Sequence, residues 1–160
     1  MEQRIVTNLW FDTQAEEAAE FYCGIFKNSR VVSTADYTDA GPGEPGTVMV
    51  VEFELDGQRF IGINGGPQFS FDEAVSLEIR CADQAEVDYY WERLTADGGS
   101  ESQCGWCKDK FGLSWQVVPT GMEEVFTCPD RAAASRAMTA MFGMTKIDLA
   151  ALQRAAAGED

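Results

Sequence analysis

The 160-residue chain contains no histidine. That absence excludes Ser-His-Asp and Cys-His nucleophile systems, imidazole metal ligation, and any side chain whose ordinary pKa lies near 7. Positive charge is scarce: 12 lysines and arginines stand against 27 aspartates and glutamates, a net charge of −15. A field of that sign repels phosphate backbones, so neither nucleic acid nor an anionic membrane surface is expected as a partner. No apolar run approaches the roughly 20 residues needed to span a bilayer. The amino terminus, Met-Glu-Gln-Arg, passes into strand-like sequence without the apolar stretch of a secretion signal. Five cysteines (Cys23, Cys81, Cys104, Cys107, Cys128) make an odd set that suits a reducing compartment rather than a disulfide framework. The expected location is the cytoplasm.

What is present argues for a packed fold, since 45% of the residues are hydrophobic and 11% aromatic. The organisation is a pattern written twice. Residues 4–11 read as a strand, and residues 14–26 (QAEEAAEFYCGIF) as an amphipathic helix with Ala15, Ala18, Ala19, Tyr22 and Phe26 on its inward stripe. At an offset of seventy residues, 74–81 alternate as a strand, and a helix runs from Asp83 toward Gly98-Gly99. Gln14-Ala15-Glu16 superposes on Gln84-Ala85-Glu86, and Ile5, Leu9 and Phe11 fall on Val75, Ile79 and Cys81. Shared alternation with a helix behind each strand predicts an internal duplication.

Strands follow each helix. In the first half these are Arg30–Tyr37, Thr47–Leu55 and Arg59–Asn64, with AGPGEPG (40–46) as a loop and Asp56-Gly57 as a hairpin turn. In the second, Glu101–Lys108 and Leu113–Pro119 flank a turn at 109–112. Each half reads β-α-β-β-β, so the fold class is α+β with modules at about 4–64 and 74–119 inside residues 1–120. Residues 121–160 form a helical C-terminal extension. There Pro129 is placed to open a helix to about Phe142, and Thr145–Asp148 resembles a capping box before a last helix to about Ala157. Met138, Met141, Phe142 and Met144 either form an adhesive surface or pack on the core or a second subunit. The acidic stretch from Asp72 to Glu101 is either a solvated face or a docking surface for a basic partner.

Alternation separates the two faces of each sheet. Val75, Leu77, Ile79 and Cys81 take the helix-backed face of their strand, as do Met49, Val51, Phe53 and Leu55 of theirs. The opposite face collects Asn8, Trp10, Glu52, Ser76, Glu78, Arg80 and Gln116; Asn64, closing its strand, joins the candidate ligand-binding residues. These either line a cleft or meet water, with Glu78 and Arg80 as an ordinary surface pair. In an enclosed face, Glu78 or Glu52 is the candidate catalytic proton carrier. Cys104-Gly-Trp-Cys107 has thiol-redox spacing in strand-and-turn rather than helix-start context. A cysteine zinc site needs a second pair that the chain lacks.

Paired β-α-β-β-β modules resemble the vicinal oxygen chelate (glyoxalase/bleomycin resistance/dioxygenase) superfamily. FDTQAEEAAEFYCGIF, GINGGPQFSFDEAVS and QCGWCKDKFGLSWQVVP are similar to its PhnB-like subgroup, whose domains carry the label 3-demethylubiquinone-9 3-methyltransferase. The resemblance implies a cupped cleft for a small molecule, a homodimer, and in enzymatic members a divalent metal held by His, Glu or Gln. The places of those ligands fall on Val6, within Arg59–Asn64, on Ser76 and on Gln116, where only Gln116 is a suitable type. No metal and no cofactor is therefore expected. The Gly-rich segments 41–46 and 62–66 do not sit between a strand and a helix, as a doubly wound S-adenosylmethionine site requires. The expected function is metal-free small-molecule binding; the alternatives are a metal-independent enzyme of the same fold, the nominal methyl transfer included, or a thiol-redox protein.

Overall fold

A computed structural model describes residues 3–159. The chain divides into two compact units, one ending at Phe71 and the other beginning at Asp72. The first contains β1 (Thr7–Phe11), α1 (Ala15–Ile25), β2 (Arg30–Asp36), β3 (Val48–Leu55) and β4 (Gln58–Asn64). Its sheet runs in the order β1-β4-β3-β2, with β1 parallel to β4 and the other pairs antiparallel. The second contains β5 (Ser76–Cys81), α2 (Gln84–Thr95), β6 (Ser100–Glu101), β7 (Trp106–Lys108) and β8 (Ser114–Pro119), then α3 (Met122–Thr127), α4 (Arg131–Phe142) and α5 (Leu149–Ala157). Its sheet repeats the plan, β5-β8-β7-β6, with β5 parallel to β8. The duplication read from the sequence is thus a duplication of topology: two four-stranded mixed sheets with helices, and a helical extension.

Side-chain period creates both cores. Ala15, Ala18, Ala19, Tyr22 and Ile25 of α1 are buried against Leu9, Phe11, Val51, Phe53, Leu55 and Phe60. Tyr22 stacks on Phe53 at 6.3 Å between ring centroids, and Phe53 on Phe60 at 5.6 Å. Burying one such ring contributes about 1.5–3 kcal/mol. In the second unit Val87, Trp91 and Leu94 of α2 are buried, as are Ile79, Cys81, Cys107, Trp115 and Val117 of the strands. Ile147 and Leu152 of the extension are 0% exposed, which makes the extension part of this unit's interior. Gln84 clamps it there, donating to the Ile147 carbonyl at 2.9 Å and accepting from the Leu149 N–H at 3.1 Å. No helix among the described residues is long and apolar enough to cross a membrane.

The structure corrects several local expectations. Phe26 leaves the inward stripe to Ile25, because α1 ends there and Phe26 takes extended backbone at φ −89°, ψ 136°. Val75 and its repeat equivalent Ile5 are 67% and 88% exposed, both lying just before their strands begin. The stretch 101–108 is not one strand. Positive φ at Cys104 (59°) and Gly105 (81°), with Trp106 N–H donating to the Gln103 carbonyl, folds it into a tight hairpin between β6 and β7. Pro129 does not open α4: Asp130 caps it, accepting from the N–H groups of Ala132 and Ala133. Asp148, not Thr145, caps α5. The Thr145 carbonyl instead accepts from Gly105 N–H at 2.7 Å, tying the extension to the hairpin.

Candidate functional site

Within the second unit, the sheet face away from α2 carries Ser76, Glu78 and Arg80 from β5, with Ser114, Gln116 and Val118 beside them on β8. Glu78 lies opposite Gln116, and Gln116 opposite Trp106. Gln116 Nε2 donates to Ser76 Oγ at 2.9 Å. Arg80 Nε donates to Glu78 Oε1 at 2.9 Å, with the two side chains 73% and 41% exposed. After β8 the chain turns through Gly121 into α3, which buries none of its residues. The result is a cleft of 230 Å³ with Glu78, Arg80 and Gln116 on its polar side and Val118, Met122 and Phe126 on its apolar side. Such a cleft suits a small molecule with one hydrogen-bonding end and one apolar end. Its volume lies below the roughly 300–1,000 Å³ of drug-sized sites.

In the first unit, Asn8 and Glu52 flank Ile61 in one cross-strand row of the face away from α1. Asn8 is exposed and donates to the Val6 carbonyl at 3.1 Å. Glu52 is ion-paired with Arg59 and accepts from Ser33 Oγ at 3.3 Å. Trp10 donates from Nε1 to the Gly66 carbonyl at 2.9 Å and meets Phe69 edge-on at 5.1 Å. Asn64 belongs to the other face. Its Oδ1 accepts from Ala15 N–H at 2.8 Å and its Nδ2 donates to the Val48 carbonyl at 3.0 Å, so it fastens the start of α1 to β3. It also borders a 620 Å³ hollow whose walls include Asp12, Glu16, Tyr37 and Glu44. The structure therefore gathers Ser76, Glu78, Arg80 and Gln116 on one face, places Asn8, Trp10 and Glu52 on the corresponding face of the other unit, and turns Asn64 toward the helix.

Met122 and Phe126 escaped the sequence reading. The helical character after Gly121 was legible, but nothing local says that α3 folds back beside β8. At the places where the resemblance sets metal ligands stand Ser76 and Gln116, a hydroxyl and an amide bonded to each other, Val6, which has no side-chain donor, and β4, which holds no carboxylate. No group of three His, Cys, Asp or Glu that could hold a metal ion occurs among the described residues. This donor set does not fit a hard or borderline divalent cation. The paired thiols are likewise placed: Cys104 Sγ donates to the Met141 carbonyl at 3.6 Å, while burial, with Asp109 and Glu101 nearby, pushes the Cys107 thiol up to about 12.

The 3-demethylubiquinone-9 3-methyltransferase family model matches residues 3–118. The chain belongs to this PhnB-like family. A 3-demethylubiquinone-9 3-methyltransferase-like PhnB protein from Bacillus cereus is 35% identical, with 74% of this chain and 100% of that chain covered and a TM-score of 0.67. The fosfomycin resistance proteins FosX share the fold of this PhnB-like chain at lower identity. The Mesorhizobium loti protein is 15% identical over 78% of this chain and 96% of its own, with a TM-score of 0.56. The Listeria monocytogenes protein is 15% identical over 78% and 98%, with a TM-score of 0.52. No curated protein matches this PhnB-like chain.

Proposed function

We propose that this PhnB-like protein binds a small organic molecule, without a divalent metal, in the cleft between β5, β8 and α3. One observation carries the reading: three residues selected by alternation alone, Glu78, Arg80 and Gln116, line a single cleft closed on its apolar side by Met122, Val118 and Phe126. Arg80 spends Nε on Glu78 and keeps its terminal N–H groups for an acceptor on the ligand. Residues 1–120 act as the vicinal oxygen chelate-type domain, and the 121–160 extension supplies the cleft's apolar wall. The protein works as a cytoplasmic homodimer, the arrangement implied by the family. Met138 and Phe142, 43% and 62% exposed, are apolar groups available to a second subunit. Glu78 and Glu52 are not assigned proton transfer, since each carboxylate is ion-paired, with Arg80 and Arg59 respectively.

Ligand-observed NMR screening of small amphiphilic molecules tests this. Binders should lose their saturation-transfer signal against Arg80→Ala and against Phe126→Ala, each variant checked for folding by circular dichroism. Elemental analysis after incubation with excess Zn²⁺, Ni²⁺, Mn²⁺ or Fe²⁺ and desalting should find no stoichiometric metal. Binding unaffected by both substitutions, or one retained ion per chain, overturns the reading.

A further inference from the structure

The same sheet face continues beyond Gln116, away from α3. In register across it lie Ser76 of β5, Ser114 of β8, Lys108 of β7 and Ser100 of β6. Ser114 is 1% exposed, and its Oγ has no hydrogen-bond partner. It borders a separate pocket of 180 Å³, together with Lys108, Trp106, Ser100, Ser102 and Glu73. A buried hydroxyl without a partner costs stability that an alanine in the same space would not. The residue directly opposite Ser114 across the β7–β8 pair is Lys108, the cation of this pocket.

The pocket also contains carboxylates, and their placement decides what it can take. Glu101 borders it, but its Oε1 accepts from Trp91 Nε1 at 2.8 Å and is drawn toward α2. Glu73, in the segment before β5, is ion-paired with Lys108 while its own side chain is 64% exposed. The Lys108 ammonium holds the Glu73 carboxyl below its ordinary value. Glu73 is therefore a carboxylate of the chain itself, resting on the lysine from a position where it is free to swing into solvent. Exchanging it for another carboxylate keeps an ion pair at Lys108, while the released Glu73 carboxylate is left to solvent.

We infer that this pocket is a binding site for a small carboxylate-bearing molecule, held by Lys108 Nζ and Ser114 Oγ, with Glu73 occupying the lysine until the ligand displaces it. Trp106 supplies an apolar wall for the rest of the molecule. Neither Arg80 nor α3 lines this pocket, which is separate from the cleft proposed above.

Titration of the ¹⁵N-labelled protein with sodium acetate and sodium benzoate tests it, with benzamide as the uncharged counterpart and sodium chloride at matched ionic strength. Saturable shifts of the Ser100, Ser102, Lys108 and Ser114 amides are expected with the carboxylates, more strongly with benzoate, and not with benzamide or chloride. Lys108→Met and Ser114→Ala should each weaken binding about tenfold, the loss of one charge-assisted or otherwise orphaned bond. Glu73→Gln should tighten it about threefold by removing an exposed competing pair. Arg80→Ala should leave it unchanged. Several outcomes overturn the inference: no saturable shift with either carboxylate, equal response to benzamide, full affinity in a folded Ser114→Ala, or loss of affinity in Arg80→Ala. The last would move the carboxylate to the cleft and leave that reading standing.

Discussion

Replacing Asn64 with alanine removes two buried bonds at once. The Ala15 N–H in the first turn of α1 loses its acceptor at 2.8 Å, and the Val48 carbonyl loses its donor at 3.0 Å. The α1 cap residue, Gln14, makes no side-chain capping bond that could compensate. Each orphaned group costs about 1–3 kcal/mol, and the adjoining hollow admits water that relieves part of this, so about 2–4 kcal/mol is expected for Asn64→Ala. For a chain of this size that corresponds to a fall in Tm of roughly 5–15 °C. Asn64→Asp keeps the acceptor, places negative charge at the positive end of α1, and loses only the bond to Val48; about 1–2 kcal/mol is expected. Urea unfolding followed by circular dichroism measures both, with m values showing whether the unfolding reaction is unchanged. A loss below about 1 kcal/mol for alanine, or aspartate as damaging as alanine, would refute the assignment of Asn64 as the fastener of α1.

Asp109, 2% exposed, accepts from Phe111 N–H at 2.9 Å, Leu113 N–H at 3.1 Å and Trp115 Nε1 at 2.8 Å. Asp109→Ala should therefore cost about 3–5 kcal/mol by the same denaturation assay, and a near-neutral result would show that the turn does not depend on it. Burial pushes the thiols of Cys81 and Cys107 up to about 12. Between pH ~9 and about 12 the unfolded chain releases these protons and the folded chain does not, so stability falls as pH rises through that window. The Cys81→Ala/Cys107→Ala double variant should show a shallower decline, and parallel curves would count against the assigned cause. In the wild-type protein at pH 8, iodoacetamide should spare both residues until denaturant is added, as mass spectrometry of the digested protein can check. At Gly99, an added Cβ would lie 2.3 Å from the Leu94 carbonyl and 2.8 Å from that of Lys108. Backbone on both sides cannot swing away, so Gly99→Ala should destabilise by about 2–4 kcal/mol, and a stable variant would show that the α2–β6 connection can shift.

Much of the architecture was legible because alternation and helical period are local. Leu9 and Phe11, and their repeat equivalents Ile79 and Cys81, are buried as their parity requires. Glu78, Arg80 and Gln116 share a face for the same reason. Local signals failed where two chemistries compete over a few residues. Cys104-Gly105 looked like strand interior, but both residues take positive φ, and only the return of β7 against β6 reveals the turn. Thr145 had capping chemistry, yet its backbone was taken by the hairpin and Asp148 capped α5 instead. Asn64 could be placed at a strand end without any sign that both its polar atoms would be spent on α1 and β3.

By itself the sequence determined the doubled plan, the faces of the strands, and a chemistry without imidazole. It did so because side-chain period and residue type belong to each segment alone. Only the tertiary structure decided that α3 closes a cleft over Glu78 and Arg80, and that Lys108 stands across from an orphaned Ser114 hydroxyl. Those are matters of register and of where the chain returns. They depend on pairings between residues far apart in sequence, which no local pattern encodes.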